Sequence, residues 1–346
     1  MVVHGSPRFS VLLPTHNRAD VLAVAIRSVL WQSTADFELL IAGDGCTDAT
    51  KDVIASFTDS RIRWFDLPKA PGVGYANRNV ALRQAQGHYI AYLAHDDLWF
   101  PDHLERLGAR LDETGAELTY SRLLAVDLDG RIRPSSYNLE IPSHCAGLWR
   151  GDIAITISAV MHTRACLVKY GEWNETLLHH ADVELWHRFL TSGRFRNVAF
   201  FSEPTALHFV ANWRRTDRQA ARRMTRWLVD GLLDETLPEA LHLPVVEGEP
   251  QQQTAWRYLT GQPHEKVRLI RRAVVQFQDA LLWKARTDPG FAGLRAGLFF
   301  GGLLDRLSRR ITWMASRQTR DRHRRLQAMT RAFEEHASRE SRAAVG

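Results

Sequence analysis

The 346-residue chain is poor in cysteine. It has three, Cys46, Cys145 and Cys166, an odd number with no CxxC spacing. That excludes a disulfide-framed scaffold and a cysteine-based zinc site, and it favours a reducing compartment. Long apolar runs are also missing. No stretch reaches the about 20 residues needed to span a bilayer, and Met1 to Ser10 holds no apolar signal core. The expected location is cytoplasmic, with the inner face of the membrane as the one membrane site open to it. Excess charge is absent from most of the chain. Residues 306–346 carry eleven arginines against four acidic residues, a net of +7 in a chain of net +6. The basic character belongs to that tail, and the rest is near neutral. Aromatic residues are sparse in the tail (Trp313, Phe333), which argues against nucleic-acid binding. No internal repeat or low-complexity tract is present.

What is present, over the first hundred residues, is an alternation of strand and helix signals. Phe9–Leu13, Phe37–Ala42, Ile62–Leu67 and His88–Leu93 read as buried strands. Arg18–Trp31, Asp48–Phe57 with Thr47 as N-cap, and Gly74–Gln86 read as helices. Repeated β-α-β units imply a parallel, doubly wound α/β sheet with ligands at the carboxyl ends of its strands. Leu118–Val126, Ile155–Met161 and Arg196–Phe201 are further strand candidates, and Asp182–Ser192 a further helix. From Trp213 onward strand signals vanish and Arg- and Leu-rich helical stretches take over. The expected organisation is a first domain over 1–212 and a helical, basic C-terminal region over 213–346. Residues 241–252 read as a linker between helices.

The strand-end loops carry the chemistry. Asp96-Asp97 follows the fourth strand. A strand that stops at a carboxylate pair can deliver hard oxygen ligands for Mg²⁺ or Mn²⁺, ions that often hold phosphates. The same pair can instead cap a helix starting near Pro101. Pro14-Thr15-His16-Asn17-Arg18 offers a hydroxyl, an amide and a guanidinium to a base or phosphate, or only caps the first helix. Gly43-Asp44-Gly45 sets a carboxylate among small neighbours, where Asp44 can accept hydrogen bonds from a base or ribose. Pro71 to Asn79 joins a glycine-rich turn to a polar helix start, without the third glycine of a dinucleotide loop.

In order and spacing, PTHNR, GDGCTDAT, GVGYANRNVAL and YLAHDDLWFPDHL resemble the family 2 glycosyltransferases of the GT-A fold, over roughly residues 8–210. The resemblance implies a GT-A nucleotide-diphospho-sugar transferase fold, a doubly wound mixed sheet, here with an α-helical C-terminal extension. It also implies a nucleotide-sugar donor, a divalent metal (Mn²⁺ or Mg²⁺) and inversion at the anomeric carbon. By position, Thr15, Asn17 and Asp44 would hold the nucleoside, with Arg18 at the same loop. Arg78 would approach the diphosphate. Asp96 would be the metal ligand, with Asp97 alongside it. Gly43 and Ala94 stand where the family often has acids, and His95 could add a nitrogen ligand. Weak or Mn²⁺-preferring metal binding is therefore expected.

His179 to Arg188 resembles the family's acidic-pair, Leu-Trp, Arg motif, with Ala181 in place of the first acid. Asp182 falls at the position of the catalytic base, which takes the proton of the acceptor hydroxyl. Its plainer role is a helix N-cap. Glu184 fits better as the partner of Arg188, four residues on. His208, after a strand at Ala206-Leu207, is a candidate metal ligand, and Arg214 a candidate diphosphate contact, although a lone His is often only structural. The implied acceptor is a glycan or lipid-linked hydroxyl in surface polysaccharide or glycolipid assembly. Residues 291–304 are apolar and lead into arginine-rich helix. These could make peripheral contact with an anionic membrane, or pack as a helical cap. The losses at 43, 94 and 181 leave a second function open, a catalytically silent GT-A module that binds nucleotide or glycan. A sugar nucleotidyltransferase is disfavoured, because no Gly-rich loop bearing Arg or Lys follows the first strand. Donor base, donor sugar and oligomeric state are not encoded in any motif.

Overall fold

The computed structural model describes residues 5–134, 138, 139, 148, 155–191, 197–209 and 241–287. It begins with the expected β-α units: β1 (Phe9–Thr15), α1 (Leu22–Leu30), β2 (Phe37–Asp44), α2 (Thr50–Ala55), β3 (Ile62–Leu67), α3 (Tyr75–Leu82) and β4 (Tyr89–Tyr92). Then come β5 (Leu98–Trp99), α4 (His103–Thr114), β6 (Leu118–Val126), β7 (Ile132–Pro134), β8 (Val160–Thr163) and α5 (Ala165–Tyr170). They are followed by α6 (Ala181–Thr191), β9 (Val198–Phe209), α7 (Gln251–Gly261) and α8 (Pro263–Thr287). Several local expectations change: Ile155–Met161, expected as a strand, holds a 3-10 turn over Ile157–Ala159, and the strand starts only at Val160. Asp96-Asp97 leads into the short strand β5, so the pair does not cap α4. Helix α2 starts at Thr50 rather than Asp48: the Thr47 hydroxyl accepts from Asn17, and Asp48 Oδ1 accepts the Thr50 amide at 3.0 Å.

The strands form one sheet in the order β3-β2-β1-β4-β8-β6-β9-β5, with β7 on β6. Strands β1 to β4 are parallel, as the β-α repeats predict. The other half is mixed. Strand β8 runs against both β4 and β6, and β5 runs against β9. Because β9 is parallel to β6, it points the same way as β1. Register then fixes one functional edge. Thr15 pairs with Gly43, Asp44 with Leu67, and Leu12 with Tyr92, so β1, β2 and β4 end together. Strand β9 ends there with His208 and Phe209, and β8 begins there just after Ser158.

Period-2 alternation sends successive residues to opposite faces. Leu12, Leu40 and Ala42 enter one core with Tyr92, Tyr120 and Trp186. Phe9, Val11, Leu13, Leu39 and Ile41 enter the other with Leu22, Ile26 and Trp99. Each fully buried Leu, Ile or Phe side chain contributes about 1.5–3 kcal/mol, so these two layers hold the strand ends rigidly.

Contacts divide the chain into two compact units, Met1–Val275 and Gln276–Gly346. The first unit includes α7 and the start of α8. Trp256 of α7 meets Trp31 edge to face at 5.3 Å. Arg271 of α8 grips Asp102 with both guanidinium nitrogens, at 2.7 and 2.8 Å. The expected boundary at 212/213, Arg214, Cys145, the apolar stretch 291–304 and the arginine-rich tail lie outside the described residues. Among the described residues, no helix is long and apolar enough to cross a membrane.

Candidate functional site

At the β1–β2 end of the functional edge, Asp44 is buried and its carboxylate is tightly held. Oδ1 accepts the Ala70 amide and the Asn77 side chain, both at 2.8 Å, and Oδ2 accepts Lys69 Nζ at 2.5 Å. The Lys69 ammonium also donates to the carbonyls of Ala70 and Gly72, so all three of its protons are used. Lys69 staples the loop after β3 onto Asp44. Gly74 is needed there: its φ is +77°, and a Cβ would lie 2.6 Å from the Asp44 carboxyl carbon. Asn17 adopts a φ of 48°. Its Oδ1 accepts the Thr47 amide at 2.7 Å and its Nδ2 donates to the Thr47 hydroxyl at 3.1 Å. Asn17 thus clips the β1 loop to the β2 loop. The Thr15 hydroxyl is buried with no hydrogen-bond partner among the described residues.

The second group lies beyond β4. Asp96 is partly exposed, with Arg18 Nη1 3.5 Å from its Oδ2. Burial, and next the Asp97 charge, push the Asp96 carboxyl up to about 6. Asp97 is placed quite differently, fully buried and saturated. It accepts Ser158 Oγ at 2.5 Å, His208 Nδ1 at 2.9 Å and the Phe209 amide at 3.3 Å. Asp97 therefore ties together the ends of β4 and β9 and the start of β8, with its side chain closed to solvent. His208 lies within β9, opposite Ala125, rather than after the strand. His95 is pushed down to about 3 by burial, then by Arg18 and Arg78. It is a neutral imidazole whose buried Nδ1 has no partner among the described residues. Gln252, at the start of α7, donates to the Asp96 backbone carbonyl at 3.1 Å.

The third group joins α3 to α6. Arg78 lies over the rings of Tyr75 and Trp173, 4.9 and 5.1 Å from their centroids. Desolvation pulls its guanidinium down, while the nearby Tyr75 and the charges of Asp182 and Asp44 oppose this. Asp182 stands in the first turn of α6, within electrostatic reach of Arg78. Glu184 pairs with Arg188 at 2.8 Å, and Arg188 also reaches the carbonyls of Tyr170 and Glu172. Glu184 is thereby committed to structure.

Asp44, Arg78, Asp96 and Asp182 thus stand along one edge with Arg18, His95 and Thr15. Sequence reasoning assigned no role to Lys69, Tyr75, Ser158, Trp173 or Gln252. One signal was available for Tyr75: with Arg78 and Asn79 it forms an i, i+3, i+4 set on one helix face. Two surface grooves of about 530 and 520 Å³ run beside α4 and α8 near Asp102 and Arg106, and their linings include none of these edge residues.

The donor set fits a divalent cation that takes part of its shell from phosphate. Both Asp97 oxygens accept hydrogen bonds, so His208 Nδ1 carries the donated proton and Nε2 is the lone-pair nitrogen, the arrangement that orients metal-binding histidines. Asp96 supplies a carboxylate in the same neighbourhood. Among the described residues, no group of three or more His, Cys, Asp or Glu could hold a metal unaided. Two protein ligands completed by diphosphate oxygens suit Mg²⁺ or Mn²⁺.

Comparison with known proteins adds three findings. Residues 10–161 match the family model described as Glycosyl transferase family 2. The chain is similar to succinoglycan biosynthesis protein ExoO of Rhizobium meliloti (strain 1021), at 36% identity over 125 residues, 36% of this chain and 36% of that protein. It is similar to UDP-Glc:alpha-D-GlcNAc-diphosphoundecaprenol beta-1,3-glucosyltransferase WfgD of Escherichia coli, at 38% identity over 96 residues, 28% of this chain and 38% of that protein. The chain thus spans under two fifths of the length of these curated relatives. Among solved structures, S. aureus TarS 1-349 in complex with UDP-GlcNAc gives a TM-score of 0.51 at 15% identity, covering 81% of this chain and 91% of that one. That likeness shows a shared GT-A-like fold.

Proposed function

We propose that this chain, which carries a glycosyl transferase family 2 domain at residues 10–161, moves a sugar from a uridine-diphosphate sugar to a hydroxyl acceptor with inversion. The observation that carries the reading is the gathering of Asp44, Arg78, Asp96 and Asp182 at one sheet edge. A nucleoside lies against Thr15 and the Asp44 carboxylate. Its diphosphate lies against Arg78 and Arg18, beside the neutral His95. Asp182 takes the proton of the acceptor hydroxyl as that oxygen attacks the anomeric carbon. The bond from the anomeric carbon to the diphosphate breaks on the opposite face, and the departing negative charge meets the two arginines. A divalent cation held by Asp96 and His208 would neutralise the same leaving group.

The names of relatives support the substrate class. WfgD is named for UDP-Glc and a diphosphoundecaprenol-linked acceptor, ExoO for succinoglycan biosynthesis. A glycan or lipid-linked acceptor in surface polysaccharide assembly is accordingly proposed, with the basic C-terminal residues making peripheral contact with an anionic membrane from the cytoplasmic side. Binding to anionic liposomes at low salt tests that contact.

The test of function is turnover of UDP-Glc and UDP-GlcNAc, with and without Mn²⁺, beside UDP binding. Removing a general base costs about 10²–10⁴ in rate. Asp182→Asn should therefore lose turnover by that factor and keep UDP affinity. Near-normal turnover in this variant overturns the base assignment. UDP binding with no turnover of any UDP-sugar, in the presence of acceptor, would favour the silent module suggested by Gly43, Ala94 and Ala181.

A further inference from the structure

One aromatic residue touches both the cation and the helix that carries the base. The Tyr75 hydroxyl accepts the Ala181 amide at 3.1 Å, and the His180 amide also bears on it. These amides open α6 and have no acceptor within the helix. His180 itself has a φ of 63°, a left-handed conformation uncommon for a residue with a side chain. The path into α6 is thus one that neighbours must hold.

Tyr75 is well placed to hold it. Its ring is buried and stacked on Trp173, with centroids 5.5 Å apart and planes 11° from parallel. Trp173 is locked in turn: Asn79 Oδ1 accepts its amide at 3.0 Å, and Asn79 Nδ2 donates to its carbonyl at 2.8 Å. The Arg78 guanidinium lies over both rings. Burial pushes the Tyr75 hydroxyl up, and the Asp182 charge adds to this. Tyr75, Arg78 and Asp182 are therefore close electrostatic neighbours across two helices.

We propose that Tyr75 is a positioning residue for transfer: its hydroxyl pins the start of α6 and so sets Asp182 relative to Arg78 and the leaving diphosphate. The inference rests on the reading of Asp182 as the base. A misplacement of about 1 Å can cost about 10²-fold in rate.

Tyr75→Phe tests it, because the ring, the stack and the cation contact survive and only the acceptor is lost. The expected result, with UDP-Glc or UDP-GlcNAc as donor, is a kcat lower by about 10- to 100-fold. UDP affinity and donor KM should stay near their starting values, and the melting temperature should fall by no more than a few degrees, because the Ala181 amide loses its acceptor. The decisive readout is a double-mutant cycle. If Tyr75 acts through Asp182, adding Tyr75→Phe to Asp182→Asn costs nothing further. An unchanged kcat, a full additive loss in the double variant, or a loss of UDP affinity with a larger fall in melting temperature would each overturn the proposal. Asp182→Asn alone separates the two ideas. If it keeps turnover, the base assignment falls; if it loses turnover while Tyr75→Phe does not, only the positioning role falls.

Discussion

Asp96→Asn should stabilise the metal-free protein, and only above about pH 5. The Asp96 carboxyl sits at about 6 against an ordinary 3.8, raised by burial and by the Asp97 charge. Between these values the folded protein binds more protons than the unfolded chain. Stability therefore falls as pH rises through that window, and the whole penalty is present above about pH 6. A shift of about two units is worth on the order of 3 kcal/mol at 1.36 kcal/mol per unit. One fifth of the side chain is open to water, so screening reduces this to about 1.5 kcal/mol. Asn mimics the protonated acid and removes the penalty. In EDTA at pH 8, Asp96→Asn should melt about 2 °C higher than the parent, by the usual scaling for a chain of this size. At pH 4 the two should melt together. Mn²⁺ should reverse the order above pH 6 by stabilising only the parent, because proton and cation compete for the same carboxylate. A melting difference that does not change with pH, or a less stable variant at pH 8, would refute the reasoning.

Two other perturbations probe the same edge. Asp97→Ala strands the Ser158 hydroxyl, His208 Nδ1 and the Phe209 amide together. It should cost about 3 kcal/mol in urea unfolding and weaken Mn²⁺ binding by about 10- to 100-fold through His208. A stable variant with parental Mn²⁺ affinity would remove Asp97 from the support of His208. Gly74→Ala forces a left-handed residue with a side chain, at a cost of about 1–3 kcal/mol, and drives its Cβ into Asp44. Calorimetry should show a clear loss of UDP affinity, and unchanged affinity would detach Asp44 from the nucleoside.

The strands were the most legible part of the chain. Ile62–Leu67 and Leu118–Val126 were bounded from sequence as they stand in the fold, and the other early strands to within two residues. Buried apolar runs punctuated by turn residues are local signals, so they survive without tertiary information. Helix ends were less legible. Thr47 looked like an N-cap, but Asn17, 30 positions away, competes for it. The individual roles of Asp96 and Asp97 were not legible at all. Two identical neighbours differ because one side chain remains partly open beside Arg18 and the other points into the junction of β4, β8 and β9.

Read along the chain, the periodicity of the β-α units and the four strand-end motifs established an α/β sheet, the edge that holds the ligands, and the residue types gathered there. Such features repeat every few residues and need no distant partner. The state of each group came from packing. Ser158 and His208 reach Asp97 across 61 and 111 positions, Tyr75 holds the amide of Ala181 across 106, and Gln252 reaches the Asp96 carbonyl across 156. Which carboxylate is saturated, which imidazole is neutral and which helix start is pinned are settled by burial and by hydrogen bonds that exist only once the reversed strand β8 and the returning strand β9 have closed the sheet.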